Sequence, residues 1–293
     1  MTAPTYLFLL ALLTPSGGAA QDHRAAIAFI RTHQTASGGF ATVLPPSGKE
    51  AVPSIRTTRT AVRVLQLLGA DKSHLPAVFN YVRACYSPAT GGFSDRPGLE
   101  PDPVSTSVGL MIFQECQQPL EPYLEKGIQF MGRTTKNFEE LRMVASAVEE
   151  TKHPLPASDR WEQMIDAQRN ADGSYGKGPG QARTTALHIV AKQRLGLKIG
   201  DKESVLKVLR AGQREDGGFG NDTPGTSHLE ACYRIVRLFS RLDAKPDRPE
   251  ALRAFIDRCK NADGGYGVQP NTPSSLHGTY YATIVRHWLD GGK

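Results

Sequence analysis

The sequence lacks the features that mark several common protein classes. It has no apolar run long enough to cross a bilayer and no lysine- and arginine-rich run of the kind that binds nucleic acid. Its four cysteines in 293 residues include no C-x-x-C pair and are too few for a disulfide framework. With 39% hydrophobic and 22% charged residues, the composition predicts a folded chain with a sizeable core.

The charge is modest and mixed. The formal net charge is +6, and basic and acidic residues are interleaved along the chain, as at Arg248 and Glu250. This pattern favours a solvated mixed surface over a basic binding face, and it argues against nucleic acid and anionic lipid as partners. A phosphorylated small molecule stays open as a ligand.

The first twenty residues have the pattern of a signal peptide. They carry no charge, and the apolar run YLFLLALL at 6–13 is followed by small residues at 17–20. The pattern predicts cleavage after Ala20 and a secreted or periplasmic protein, although an initial lysine or arginine is missing. The alternative is a buried first helix in a cytoplasmic protein.

Export would permit disulfides between the four cysteines, but the three possible pairings cannot be ranked. Each cysteine also suits a buried free thiol: Cys85, Cys116, Cys232 and Cys259.

An internal repeat accounts for many of the 29 glycines. A phrase with glycine before an aromatic residue occurs five times, as QTASGGF, YSPATGGF, QRNADGSY, QREDGGF and CKNADGGY. The 82-residue gap between the aromatic residues Phe93 and Tyr175 predicts a sixth, degenerate copy at 120–150, with helices at 123–131 and 138–148. The five clear copies end at Phe40, Phe93, Tyr175, Phe219 and Tyr266.

Each copy is predicted to form two helices joined by a glycine turn and a loop. In the last copy Leu252, Phe255, Ile256 and Cys259 share one helix face, and residues 261–265 end that helix. Six such hairpins need neighbours to bury their apolar faces. We therefore expect an all-α fold, an α6/α6 toroid in which residues 21–293 form a single double-layered barrel of six helical hairpins. The second helices would lie inside, with their N-terminal ends converging on one rim.

Polar residues in the first turns of these inner helices are the candidate functional residues, because helix N-termini attract anions. Glu230 and Cys232 from one hairpin and His277 from the next offer a carboxylate, a thiolate and an imidazole, a set that holds zinc with one position open. His228 is an alternative ligand. Cys232 and His277 also have simpler interpretations, as a core residue and a helix cap. The polar candidates from the first turns of all the inner helices are, in chain order, Arg56, Ser105, Arg183, His228, Glu230, Cys232 and His277.

The repeats resemble those of the protein prenyltransferase β subunits and, more distantly, those of the squalene and oxidosqualene cyclases, which share an α6/α6 toroid. The segment HLEACY at 228–233 is similar to the prenyltransferase zinc motif Asp-x-Cys-Tyr, and LHGTY at 276–280 is similar to the later His-x-x-Tyr motif. The resemblance covers nearly the whole chain after residue 22. In repeat style it is strongest to the geranylgeranyl transferase type II β subunit.

The resemblance implies a zinc-dependent protein prenyltransferase. Zinc held by Glu230, Cys232 and His277 would bind the cysteine thiolate of an acceptor protein or peptide. That sulfur would attack a prenyl diphosphate, expected to be geranylgeranyl diphosphate, in the barrel. An α-subunit-like partner is also implied. Tyr233 matches the family's tyrosine near the diphosphate, and two arginines resemble a rim arginine of the family, so the expected catalytic residues are Tyr233, Arg56 and Arg183.

Departures from the family pattern support a second hypothesis. Glu230 stands in place of aspartate, Ser105 and Thr184 stand where the family has histidine, and the loop 220–227 lacks the arginine and lysine that clamp diphosphate. Together with the signal peptide, they favour an exported, non-catalytic toroid that binds a peptide or lipid in its central cavity.

A glycosidase built on the same barrel ranks last. Such an enzyme needs two carboxylates that face each other across a cleft, and the rim acids Asp102 and Glu230 show no such pairing.

Overall fold

Twelve α-helices dominate residues 17–46, 49–155 and 159–292, the part of the chain that the computed structural model describes. Outer and inner helices alternate along the chain. The outer helices are α1 (Gly17–Arg31), α3 (Leu75–Ala84), α5 (Glu121–Thr134), α7 (Asp159–Asp166), α9 (Lys202–Ala211) and α11 (Pro249–Arg258). The inner helices are α2 (Ile55–Leu67), α4 (Pro103–Glu115), α6 (Phe138–Thr151), α8 (Gln181–Arg194), α10 (Leu229–Arg241) and α12 (Leu276–Leu289).

The inner helices close into a ring. Each packs against the next, from α2 through α4, α6, α8 and α10 to α12, and α12 packs against α2. This closure confirms the predicted all-α toroid of six hairpins. The degenerate copy is present as α5 and α6. Strands in the described ranges are limited to one antiparallel pair of two residues each, β1 (Phe40–Ala41) and β2 (Pro53–Ser54).

Side-chain caps fix where the inner helices begin. Five of these helices follow a residue whose side chain accepts a hydrogen bond from a first-turn backbone N–H, while α8 follows Gly180 without one. A cap of this kind stabilises a helix by about 1 kcal/mol. His228 therefore has a structural role at the start of α10, while the helix-cap alternative for His277 is wrong, because Ser275 caps α12. The five caps are Ser54, Asp102, Asn137, His228 and Ser275.

The recurring aromatic residue of each clear copy is buried and bonded to its own inner helix. Its backbone N–H donates to a side chain one turn into that helix, and in four copies the acceptor is a threonine hydroxyl 2.9 to 3.0 Å away. In the remaining copy the N–H of Phe219 donates to the Cys232 sulfur at 3.3 Å. We call this acceptor position the anchor position. Its five occupants are Thr58, Thr106, Thr185, Cys232 and Thr279.

The glycine turns pack each hairpin against the outer helix of the next one. Gly217 has a φ of +88°, and a β-carbon there would overlap the backbone of Ala251 in α11. At the last turn, a β-carbon on Gly264 would overlap the backbone of Ala25 in α1. The turn of the sixth copy therefore packs against the first outer helix, and the outer layer closes as the inner layer does.

Replacing Gly217 with alanine is expected to lower the free energy of unfolding by about 3 kcal/mol, because the methyl group adds overlap with α11 to the strain of a left-handed backbone. Gly225 is a matched control. Its φ is +85°, but nothing lies within 4 Å of an added β-carbon. Gly225→Ala should cost only about 1 kcal/mol. Urea unfolding of both variants checks this, and equal losses would show that the turn does not depend on close packing.

The predicted signal segment lies largely outside the described residues, which begin at Gly17 in α1. No helix among the described residues is long and apolar enough to cross a membrane. All four cysteines are free thiols, and Cys85, Cys232 and Cys259 are buried.

Candidate functional site

A cavity of about 370 Å³ opens where the N-terminal ends of five inner helices meet. We call it the rim cavity. Its presence confirms that these helix ends converge at one face of the ring, as the sequence predicted. Its walls combine arginines with apolar and aromatic side chains from α2, α4, α6, α10 and α12: Arg56, Arg59, Thr60, Arg63, Val104, Val108, Glu139, Arg142, Met143, Tyr233, Arg234, His277, Tyr280 and Tyr281.

Two further cavities adjoin the rim cavity inside the ring. A narrow one of about 50 Å³, the constriction, shares Arg59, Arg63, Arg142 and Arg234 with it. A wider one of about 530 Å³, the distal opening, lies toward the C-terminal ends of the inner helices and includes Trp288. Eight arginines face four acidic residues in these walls: Arg56, Arg59, Arg63, Arg142, Arg194, Arg234, Arg237 and Arg241, against Glu139, Glu149, Glu150 and Asp243.

Several of these arginines are held by carboxylates. One Nη of Arg59 lies 2.6 Å from a Glu115 oxygen and 2.8 Å from a Glu150 oxygen. Arg63 lies 3.2 Å from the same Glu115. Arg142 differs, since its carboxylate contact in the described structure is with Glu139, whose side chain is 66% exposed. Burial and the nearby Arg234 lower the pKa of Arg142, so a second anion beside it would be stabilising.

Aromatic rings line the same space as the arginines, and Arg63 and Arg234 lie over the rings of Tyr280 and Tyr233, 5.8 and 5.1 Å from their centroids. The ring of Tyr233 packs on those of Tyr280, Tyr281 and Trp288, with centroids 5.0 to 5.6 Å apart. The hydroxyls of Tyr233 and Tyr280 lie 3.2 Å apart. His277 lines the same cavity, and burial and Arg234 lower the pKa of its imidazole, which is therefore neutral at pH 7. The cavity thus offers cations, an apolar surface and a neutral base.

Comparison with known proteins identifies the family. The family model for the prenyltransferase alpha-alpha toroid domain matches residues 74–152 and 139–288. The chain belongs to this family. The β subunit of protein farnesyltransferase from Arabidopsis thaliana is 31% identical over 120 residues, which cover 38% of this chain. That match spans only 24% of the relative's length.

Solved structures similar to this prenyltransferase toroid have diverse activities. A glycosidase superposes with a TM-score of 0.65 at 14% identity, covering 96% of this chain and 100% of its own. A type II terpene cyclase from Scytonema superposes with a TM-score of 0.63 at 12% identity, covering 94% and 99%. At these identities the superpositions establish the fold alone.

The residues expected to bind zinc do not form a ligand set in this prenyltransferase toroid. Both Glu230 oxygens accept hydrogen bonds from Arg183, at 2.7 and 2.9 Å, and one also accepts from Arg234 at 2.8 Å. The Cys232 sulfur is fully buried at the anchor position, and burial raises the pKa of its thiol. In the described ranges, no group of three or more His, Cys, Asp or Glu side chains is placed to hold a metal ion.

The other expected site residues separate into two places. Arg56, Tyr233 and His277 line the rim cavity together. Arg56 is half exposed and lies 3.4 Å from Asp95 and 3.3 Å from Asp102. Arg183 pairs with Glu230 and does not line that cavity. The expected catalytic arginines thus both have carboxylate partners already.

Sequence reasoning missed the arginines deeper in the ring. The apolar helix faces predict packing alone, and the family pattern places the diphosphate-clamping cations in the loop 220–227, which has none. The sequence does contain a sign of these arginines. Arg56, Arg59 and Arg63 are spaced at i, i+3 and i+7 on α2, which places them on one face of that helix. Residues 234, 237 and 241 repeat this spacing on α10.

Proposed function

We propose that this prenyltransferase toroid binds a prenyl diphosphate in the rim cavity and transfers the prenyl group to an acceptor presented at the rim. The observation that carries the proposal is the lining of that cavity, in which arginines, apolar side chains and aromatic rings bound one space. A prenyl diphosphate combines the same two chemistries, with a strongly anionic head and an apolar chain. Guanidinium groups suit the head because their paired N–H groups match phosphate oxygens.

Arg142 and Arg234 are the proposed holders of the diphosphate. Both line the rim cavity and the constriction, so both face the narrow end of the site. Arg142 retains hydrogen-bonding capacity because its carboxylate contact is with the largely exposed Glu139. The chain would lie against Val104, Met143 and Tyr281 in the same cavity.

Transfer breaks the bond between the first prenyl carbon and the diphosphate oxygen, and the bonding electrons leave with the diphosphate. The arginines stabilise that charge as it forms. An acceptor thiol supplies the electron pair for the new carbon–sulfur bond and must lose its proton. The neutral imidazole of His277, at the rim, is suited to accept it.

The cavity size favours a short prenyl chain. A cavity of about 150 Å³ holds benzene, which gives about 25 Å³ per carbon atom. A ten-carbon chain needs about 250 Å³ on this scale, which leaves part of the rim cavity of about 370 Å³ for the diphosphate, whereas a fifteen-carbon chain of about 375 Å³ would fill it. The geranylgeranyl chain expected from the resemblance needs about 500 Å³. We therefore propose geranyl diphosphate as the first substrate to test.

Zinc has no place in this proposal, because Glu230 and Cys232 are committed to Arg183 and to Phe219. Cys232→Thr should keep the fold and any activity, since threonine fills the anchor position in four other copies. Elemental analysis should find far less than one zinc ion per chain in both proteins. About one zinc ion in the native chain, lost in Cys232→Thr, would instead support the zinc site that the resemblance implies.

Turnover distinguishes the proposal from the alternative of a non-catalytic toroid. Purified protein is incubated with labelled geranyl, farnesyl or geranylgeranyl diphosphate and a cysteine-containing peptide, and released pyrophosphate and thioether product are measured. Acceptor-dependent release of pyrophosphate supports transfer. Binding without release would favour the exported binding protein.

A partner subunit and the cellular location are also proposals. The relative's name describes it as one subunit, and an α-subunit-like partner remains our expectation for this chain. Exposed apolar side chains in the loops before α2 and α4 offer a docking surface, and sedimentation with an added α subunit would test it. If the signal is cleaved, the protein is secreted or periplasmic, and otherwise it is cytoplasmic. The exposed apolar side chains of the proposed docking surface are Val43, Leu44, Val52 and Leu99.

A further inference from the structure

Arg237 is a partly buried cation without an anionic partner. It lies in the third turn of α10 and lines both the constriction and the distal opening. Within the described residues it forms no ion pair and no hydrogen bond, and its contacts are with aromatic rings. The proposed diphosphate site does not use it, since it is absent from the rim cavity.

The glutamates around Arg237 are occupied by other arginines. Glu149 pairs with Arg194 at 3.1 Å and with Arg241 at 2.7 Å. Glu150 pairs with Arg59 at 2.8 Å. Together with the exposed Asp243 they are the acids of the distal opening, which has four arginines, and none of the three forms an ion pair with Arg237 in the described residues. The charge of Arg237 is left uncompensated.

Aromatic rings hold the Arg237 guanidinium by its face. It lies 4.2 Å from the centroid of Tyr233 and 5.8 Å from that of Trp288. Stacking of this kind uses the flat face of the group and leaves its N–H edges free to donate. An edge with two parallel N–H groups is the geometry that binds phosphate or carboxylate oxygens.

The surroundings also disfavour a bare cation at this position. Burial and the neighbouring Arg194 and Arg63 lower the pKa of Arg237 well below its ordinary range. Because an arginine side chain keeps its proton in proteins, the cost appears as an unfavourable free energy of the charged group. A bound anion would remove it.

We propose that Arg237, with Arg194 and Arg63 beside it, forms an oxyanion-binding site for a phosphate or carboxylate group that enters through the distal opening. That opening, at about 530 Å³, has room for a small molecule carrying the anion. The constriction of about 50 Å³ separates this site from the rim cavity. The site does not depend on the proposed prenyl transfer, so each can fail without the other.

The experiment measures thermal stability of the full chain in a buffer free of multivalent anions. Inorganic phosphate, acetate and sodium chloride are added in separate series at equal ionic strength. Phosphate and acetate separate the two oxyanion sources, and chloride reports screening alone. We expect the melting temperature to rise and saturate with phosphate or acetate, with little change in chloride.

Three variants locate the effect. Arg237→Gln should weaken the anion response at least tenfold and, without anions, should leave the protein as stable as the native chain or more so. Arg253→Gln, on the outer helix α11, is the matched control and should respond like the native protein. Arg142→Gln should keep the response, because Arg142 does not line the distal opening.

Two results would overturn the site. One is an equal anion response in Arg237→Gln and the native chain, and the other is a response lost in Arg142→Gln but kept in Arg237→Gln. If Arg237→Gln does not fold, Ser240→Trp carries the test, because Ser240 lines the distal opening and the substitution narrows it without changing charge. A full anion response in Ser240→Trp would equally contradict entry by this route.

Discussion

Replacing Arg142 with alanine is expected to weaken the binding of geranyl diphosphate by about 10- to 100-fold. A hydrogen bond to a charged group contributes about 1.5 to 3 kcal/mol, and Arg142 faces the narrow end of the cavity where the diphosphate would lie. The fold should tolerate the change, because the lost ion pair is with the largely exposed Glu139. Isothermal calorimetry at two salt concentrations measures the effect.

Arg210→Ala is the control for this prediction. Arg210 lies on the outer helix α9, pairs with the exposed Asp247 and does not line the rim cavity. Its removal should leave the affinity unchanged within a factor of two. Equal losses in both variants would mean that the diphosphate responds to net charge rather than to this site.

Replacing Glu230 with glutamine should lower the free energy of unfolding by about 3 kcal/mol at neutral pH. The carboxylate is 14% exposed and joins Arg183 of α8 to Arg234 of α10. Without it, two partly buried guanidinium groups lose their shared partner, which is a costly change. Urea unfolding measures the loss. Glu250→Gln is the control, because Glu250 is 85% exposed and should contribute little.

The ion pairs of Glu230 also predict how the free energy of unfolding depends on pH. Hydrogen bonds from Arg183 and attraction to Arg234 outweigh burial and lower the pKa of Glu230 from about 4.5 to about 2. A carboxyl group with a lowered pKa stabilises the fold above its ordinary pKa, and that stability is lost as the pH falls toward 2. The difference between native protein and Glu230→Gln should therefore shrink between about pH 4.5 and pH 2. A difference that stays constant over this range would contradict the ion-pair role.

Much of the fold could be predicted because its signals are local. The glycine turns impose a left-handed backbone and close packing, so their residues recur in a recognisable phrase, as at Gly217 and Gly264. Even the degenerate copy was found, from the length of a gap and the helical spacing after Tyr123. Closure of the ring followed from the need of each hairpin to bury its faces.

The site was harder to predict because residue type did not determine role. Cys232 has the motif of a metal ligand, but the equivalent residues of other copies are threonines that bind a backbone N–H. Glu230 has the right charge for zinc, but Arg183 comes from another hairpin, and only folding places it there. The cavity arginines were visible as a spacing on α2 and were not read as inward-facing.

A crystal structure of the protein with a non-hydrolysable geranyl diphosphate analogue tests the central claim most directly. The account predicts one analogue per chain, with its diphosphate oxygens within hydrogen-bonding distance of Arg142 and Arg234 and its chain against Val104 and Tyr281. An analogue bound outside the rim cavity, or no bound analogue at saturating concentration, would contradict it.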